Sequence, residues 1–279
     1  MSFFFLKVSS TKTHAGRDTI IQAASPNAFY DSKQQFETPK RLTGVQVAYM
    51  NAIRDWMFKT ESSLMWLYGP AGSGKTTLAR NIADWCAQDR LFLSSYFFSR
   101  TDSSRNSSSS FVATIAYGIS QAVPSIQPLM DCVVDKDPLL FSRSLEIQFA
   151  KLVLEPLVGL YQDASHEALP YVIVIDGLDE CIQSNEQKAI FDMFTIALDN
   201  YSLPWKVLIS SRPEPTIQRL FQGCRSPRCF YTSISLSNSA SDFELPPKKG
   251  PHDVQEETPK TSMTKPMQRR LRLLSIGMP

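Results

Sequence analysis

The sequence predicts an α/β fold: a three-layer sandwich on a five-stranded, mainly parallel sheet with helices on both faces. Three observations predict it. Short apolar runs alternate with longer stretches of helical periodicity, the signature of strand–helix–strand units. The runs at 64–68 (LMWLY) and 171–175 (YVIVI) are apolar throughout, as strands buried on both faces must be. A glycine-rich segment, 69–77 (GPAGSGKTT), joins the first of these runs to a helical stretch.

The elements follow in order. Residues 1–40 are polar, carry Pro26 and Pro39, and show no sustained periodicity, so they read as a flexible leader. Over 44–59, Val47, Met50, Ile53, Trp56 and Met57 keep helical spacing and lead into the strand at 64–68. After the glycine-rich segment, Leu78, Ile82 and Cys86 recur at i, i+4 and i+8 beside Ala79 and Ala83, which predicts an amphipathic helix. A second strand is expected over 91–98, followed by Arg100 and a serine-rich run read as a solvated loop.

Helices are predicted over 111–123, 126–134 and 144–160, with Pro156 ending or kinking the last. The third strand, 171–175, ends in Asp176. Beyond it come a helix over 185–200, a strand over 206–210, and a short helix over 214–222 stopped at Gly223. A fifth strand is expected over 229–236. From Ser237 the chain is rich in Ser, Pro, Thr and charge without a periodic apolar face, and is expected to be disordered. This divides the chain into a leader (1–40), a folded domain (41–236) and a tail (237–279).

Composition narrows the function classes. With 29 basic against 27 acidic side chains, a net charge of +2 gives no reason to expect nucleic acid or an anionic membrane as partner. The opening MSFFFLK is too short for a signal-peptide core, and no stretch reaches the length of a membrane-spanning helix. Five scattered cysteines, an odd number, read as reduced thiols in a cytoplasmic protein. Cys224 and Cys229 with three dispersed histidines do not make a zinc site.

Three motifs carry chemistry. Residues 69–77 match G-x-x-x-x-G-K-[ST], the phosphate-binding P-loop, and lie between a strand and a helix as that loop requires. Gly69, Gly72 and Gly74, with Pro70, Ala71 and Ser73, form a turn whose backbone can approach phosphate oxygens, and the helix that follows points its positive end at the anion. Lys75 is placed to reach the β- and γ-phosphates, Thr76 to ligate Mg²⁺, and Thr77 closes the loop. The second motif, YVIVIDGLDEC (171–181), delivers Asp176 to the end of a buried strand as a second Mg²⁺ ligand. Asp179 and Glu180 follow, with Glu180 the first candidate and Asp179 the second for activating a water molecule. In the third, WKVLISSRPEP (205–215), Ser210 or Ser211 is placed near the γ-phosphate and Arg212 to neutralise its charge; Arg100 has a weaker version of the same claim. The ligands implied are ATP (or GTP) and Mg²⁺, with ATP favoured because no guanine-reading N-K-x-D element occurs.

Taken together, GPAGSGKTT, VIDGLDE (174–180) and LISSRPEP (208–215) resemble the NACHT-type nucleotide-binding domain, in the version common in fungal NACHT proteins and akin to the nephrocystin-type N-terminal domain. The resemblance covers about residues 25–236. It implies a STAND-class P-loop NTPase with strand order 5-1-4-3-2, in which bound nucleotide controls self-association. It also implies that Lys75 and Thr76 hold phosphate and Mg²⁺, Asp176 the Mg²⁺, Asp179 or Glu180 the hydrolytic water, and that Arg212 senses the γ-phosphate. Family members continue into a helical lid and a winged-helix domain, whereas here the sequence after Leu236 turns polar, as in a core truncated after the nucleotide-binding fold.

The leading expectation is thus a slow Mg-dependent ATPase acting as a signalling and oligomerisation module, with nucleotide, its own copies or related NACHT proteins as partners. A different class is a catalytically weak nucleotide-binding fragment that associates with full-length relatives. A P-loop kinase acting on a small molecule ranks third, because two acidic residues after Asp176 suit water activation better than phosphate transfer.

Overall fold

Five strands form one parallel sheet in the computed structural model, which describes residues 15–33, 44–162, 171–201, 203–224 and 231–236. In chain order the elements are α1 (Ala15–Ala23), α2 (Gly44–Lys59), β1 (Leu64–Tyr68), α3 (Lys75–Gln88), β2 (Phe92–Phe97), α4 (Phe111–Ala122), α5 (Gln127–Lys136), α6 (Leu145–Phe149), α7 (Glu155–Gln162), β3 (Tyr171–Asp176), α8 (Ser184–Asn200), β4 (Trp205–Ser211), α9 (Pro215–Gly223) and β5 (Tyr231–Ser235). The strand order β2-β3-β4-β1-β5 is the expected 5-1-4-3-2 order read from the other edge. Every strand pair is parallel, with Leu64 opposite Val207 and Ile175 opposite Ile209.

Residue parity explains why the strands are apolar throughout. In β3, Val172 and Val174 enter the core beneath α2 and α3, whereas Ile173 and Ile175 enter the larger core beneath the other helices. β4 divides the same way, Leu208 on the α2–α3 face and Val207 and Ile209 on the opposite one. A strand with both faces covered has no polar side to show. The larger core is rich in aromatic rings, with Tyr96, Phe111, Phe149, Phe194 and Trp205 all buried.

Several expectations are corrected. Residues 15–33, read as part of a flexible leader, contain α1 and a 3₁₀ turn at Pro26–Ala28; Gly16, Ile20 and Ala28 are buried. α1 lies against α4 and α5. The serine-rich run is not a solvated loop. Arg105, buried within it, donates from Nη1 to the Phe97 carbonyl (3.0 Å) and pairs through Nε with Asp102 (3.0 Å), while the Ser108 N–H donates to Glu186 Oε2 (2.8 Å). The helix expected over 144–160 is interrupted by a π-helical stretch, Ala150–Leu154, immediately before α7. Pro156 supplies the reason: it has no N–H to donate, and in a regular α-helix its ring collides with the carbonyl four residues back, so the wider turn absorbs it. The tail at 237–279 lies outside the described residues, as does most of 1–40.

Candidate nucleotide-binding site

The three motifs meet at the C-terminal end of the sheet, where ligands of open parallel sheets bind. Parity again decides which side chains meet. Asp176 continues the Val172–Val174 side of β3, toward α3, and Ser210 continues the Leu208 side of β4. Ser210 Oγ donates to Asp176 Oδ1 and accepts the Gly177 N–H at 3.1 Å. The Thr76 hydroxyl, in the first turn of α3, also hydrogen-bonds Asp176. Ser211, one residue on, faces the other way and accepts the Trp66 indole N–H at 2.9 Å, so of the two serines only Ser210 belongs to the site.

Burial raises the pKa of the enclosed Asp176 carboxyl; the bonds from Ser210 and Thr76 and the charge of Lys75 act in the opposite direction. Arg80, one turn further along α3, is buried, and its charge also acts on Asp176.

The glycine-rich loop has the geometry its sequence demands. Gly72 and Gly74 have φ of +77° and +86°, the left-handed region. A Cβ at Gly74 would also sit 2.7 Å from Gln46 Nε2 on α2. No side chain caps the N-terminus of α3, so its first-turn amides are not claimed by a capping residue. Lys75 Nζ donates to the carbonyls of Gly69 (2.8 Å) and Pro70 (2.7 Å), and lies 3.4 Å from Ser73 Oγ. Its half-burial lowers its pKa, with Asp179 and Asp176 pulling it back. Thr77 sits in the first turn of α3, its carbonyl accepting from Asn81 at 2.7 Å.

Past Gly177, itself left-handed at φ +71°, a 3₁₀ turn (Leu178–Glu180) presents the two remaining acids. Asp179 is buried, and both its oxygens are taken by Arg212: Oδ1 accepts the backbone N–H at 2.8 Å and Oδ2 accepts Nε at 2.6 Å. That contact holds the Arg212 pKa up. Glu180 is half-buried and accepts the Arg100 N–H at 3.1 Å, while Arg100 Nη2 donates to the Asp179 carbonyl at 2.8 Å. Lys75, Thr76, Asp176, Asp179, Glu180, Arg212 and Arg100 are therefore brought to one place.

Sequence reasoning missed Gln46, Arg80 and the β5 exit. The Leu236 N–H donates to the Tyr68 carbonyl (2.7 Å), and a Cβ on Gly69 would fall 2.5 Å from the Leu236 carbonyl oxygen. Arg80 carried a legible signal, four residues after Thr76 on the same helical face. Gln46 and Leu236 carried none, because only the fold brings them to the loop.

The residues fit a nucleotide triphosphate with Mg²⁺. Among the described residues no group of three or more His, Cys, Asp or Glu side chains gathers to hold a metal. The Thr76 hydroxyl and the Asp176 carboxylate suit Mg²⁺ nonetheless, since that ion takes few protein oxygens and keeps phosphate and water for the rest. Among the described residues, no helix is long and apolar enough to cross a membrane.

Fold and motif together define a P-loop NTPase fold. The chain matches the family model described as nephrocystin 3, N-terminal over residues 43–212, more than half its length, and belongs to that family. No curated protein matches it. Among solved structures it is similar to the Aeropyrum pernix Orc1 protein in complex with DNA (13% identity, TM-score 0.41, covering 71% of this chain and 46% of that one). It is also similar to Drosophila ORC bound to poly(dA/dT) DNA and Cdc6 (9%, 0.42, 85% and 36%) and to C. elegans PCH-2 (16%, 0.30, 78% and 46%). The chain spans less than half the length of each of these chains.

Proposed function

We propose that this protein is an ATP-binding, Mg²⁺-dependent NTPase module of the STAND class that hydrolyses slowly and uses the bound nucleotide to control association with its own copies or with related proteins. The observation that carries the reading is the hydrogen-bonded group Thr76–Asp176–Ser210 beside the Lys75 loop. A hydroxyl and a carboxylate side by side at the start of the helix after the loop are the kind of oxygen ligands a P-loop metal site uses, which supports the reading. The nucleotide-binding unit in this reading is 41–236.

Each residue then has a part. The loop amides and Lys75 bind phosphate, Lys75 leaving the Gly69 and Pro70 carbonyls to do so. Thr76 and Asp176 hold Mg²⁺, which when bound neutralises charge developing on the phosphates. Asp176 serves this as a carboxylate, the form that the Ser210 and Thr76 bonds favour against the effect of its burial. Glu180, the acid whose carboxylate is not paired with Arg212, takes the proton of the attacking water. Asp179 fixes Arg212 from two sides and acts as a positioning residue, so that the guanidinium meets the γ-phosphate in a set orientation. Arg100 ties the turn carrying Asp179 and Glu180 to the end of β2.

The test is calorimetric titration with Mg-ATP, with GTP as comparator, alongside turnover. Lys75→Ala is expected to weaken binding by about 10–100-fold, the worth of a charge-assisted contact. Equal binding by both proteins would sink the proposal.

A further inference from the structure

At the opposite end of β4 from Ser210 and Arg212, the strand buries a lysine. Lys206 is 7% exposed, and its Nζ donates to the carbonyls of Thr60 (2.8 Å) and Ser62 (2.6 Å) just past the end of α2. It stands 5.5 Å from the centroid of the Trp56 ring. These contacts offer partial charges and a ring face; among the described residues no carboxylate pairs with it. Burial lowers its pKa to about 8, which leaves it mainly protonated at neutral pH. A buried ammonium without an anion is unusual, because charge removed from water ordinarily requires a partner.

The lysine lines a cleft of about 260 Å³ whose walls include Met57, Phe58, Leu203, Pro204 and Trp205. Phe58 is 53% exposed at this cleft, a large apolar ring left in water. The cleft thus combines a cation lacking an anion with apolar walls. The two together ask for an anion with an apolar part.

We propose that this cleft is a second ligand site, which binds a small carboxylate with a short apolar tail: the carboxylate on Lys206, the tail along Phe58, Leu203 and Pro204. The site is separate from the phosphate loop and does not depend on nucleotide binding.

Octanoate is the probe, with octanol as its uncharged counterpart, titrated calorimetrically into the full chain at pH 7. Octanoate should saturate one site and bind about tenfold or more tightly than octanol. Lys206→Met should weaken it by a similar factor, Phe58→Ser by about threefold or more, and Lys75→Ala should leave it unchanged. Absence of saturation, equal affinity for octanol, or loss of binding in Lys75→Ala would overturn the proposal. So would unchanged affinity in a Lys206→Met protein with native circular dichroism. If that variant fails to fold, Phe58→Ser decides, since its side chain is half in solvent and its removal leaves the core intact.

Discussion

Asp179 and Glu180 are adjacent in sequence but differ in what their contacts leave them free to do. Both Asp179 oxygens are engaged by Arg212, whereas one Glu180 oxygen carries no contact from Arg100. Glu180→Gln is therefore expected to keep Mg-ATP affinity within about threefold and to lower single-turnover hydrolysis by about 10²–10⁴-fold, the usual worth of a general base. Asp179→Asn should act differently, releasing Arg212 and weakening both affinity and turnover by about tenfold. Arg212→Lys should not restore function, because an ammonium cannot reproduce the Nε contact made alongside the backbone N–H. Matched single-turnover and binding curves for the three variants check this, and an Asp179→Asn enzyme that binds normally but does not hydrolyse would reverse the assignment. The sequence motifs picked out all these residues as members of one candidate site. It could not divide labour between the two acids, because the Asp179–Arg212 contact joins the ends of two strands whose adjacency is set by the sheet.

At the scale of elements, legibility followed periodicity. β1 and β3 are apolar throughout because both faces are covered, and α2 carries a long stripe, so their limits could be read within a residue or two; the stripe of α3 gave its existence and buried face. α1 escaped because it is nine residues long and buries only Gly16 and Ile20, too few positions to form a stripe. Its docking rests on close approach instead: a Cβ on Gly16 would stand 2.6 Å from the Asp131 carbonyl oxygen of α5. Gly16→Ala is expected to destabilise the protein by about 1–3 kcal/mol through this overlap. For a domain of this size the melting midpoint falls by roughly 2–4 °C for each kcal/mol. An unchanged midpoint would mean that α1 contributes nothing to the fold. The serine-rich run was misread for a related reason. Composition describes how serines behave when nothing is near them, and here Arg105 and Glu186 provide the partners.

For the whole molecule, two equilibria are linked to folding. Ligand that binds only the native state stabilises it by mass action, by about 2.7 kcal/mol at one hundred times the dissociation constant, so Mg-ATP should raise the melting midpoint of the unmodified chain, and that of Lys75→Ala by about half as much or less at the same concentration. The second is protonation of Lys206, a strand residue whose burial no sequence pattern announces. Its folded pKa of about 8 lies below the ordinary 10.5, so between those values the unfolded chain holds more protons on this residue than the folded one. Stability should therefore rise with pH across that window relative to Lys206→Met; chemical denaturation at pH 7.5 and 10 measures the difference, and parallel curves would contradict it. The close approach of Gly69 to Leu236 has a mechanical meaning at this scale. The first residue of the phosphate loop and the residue just past the sheet's edge strand approach so closely that no side chain fits between them. A side chain at position 69 would therefore have to push the phosphate loop and the sheet's edge apart.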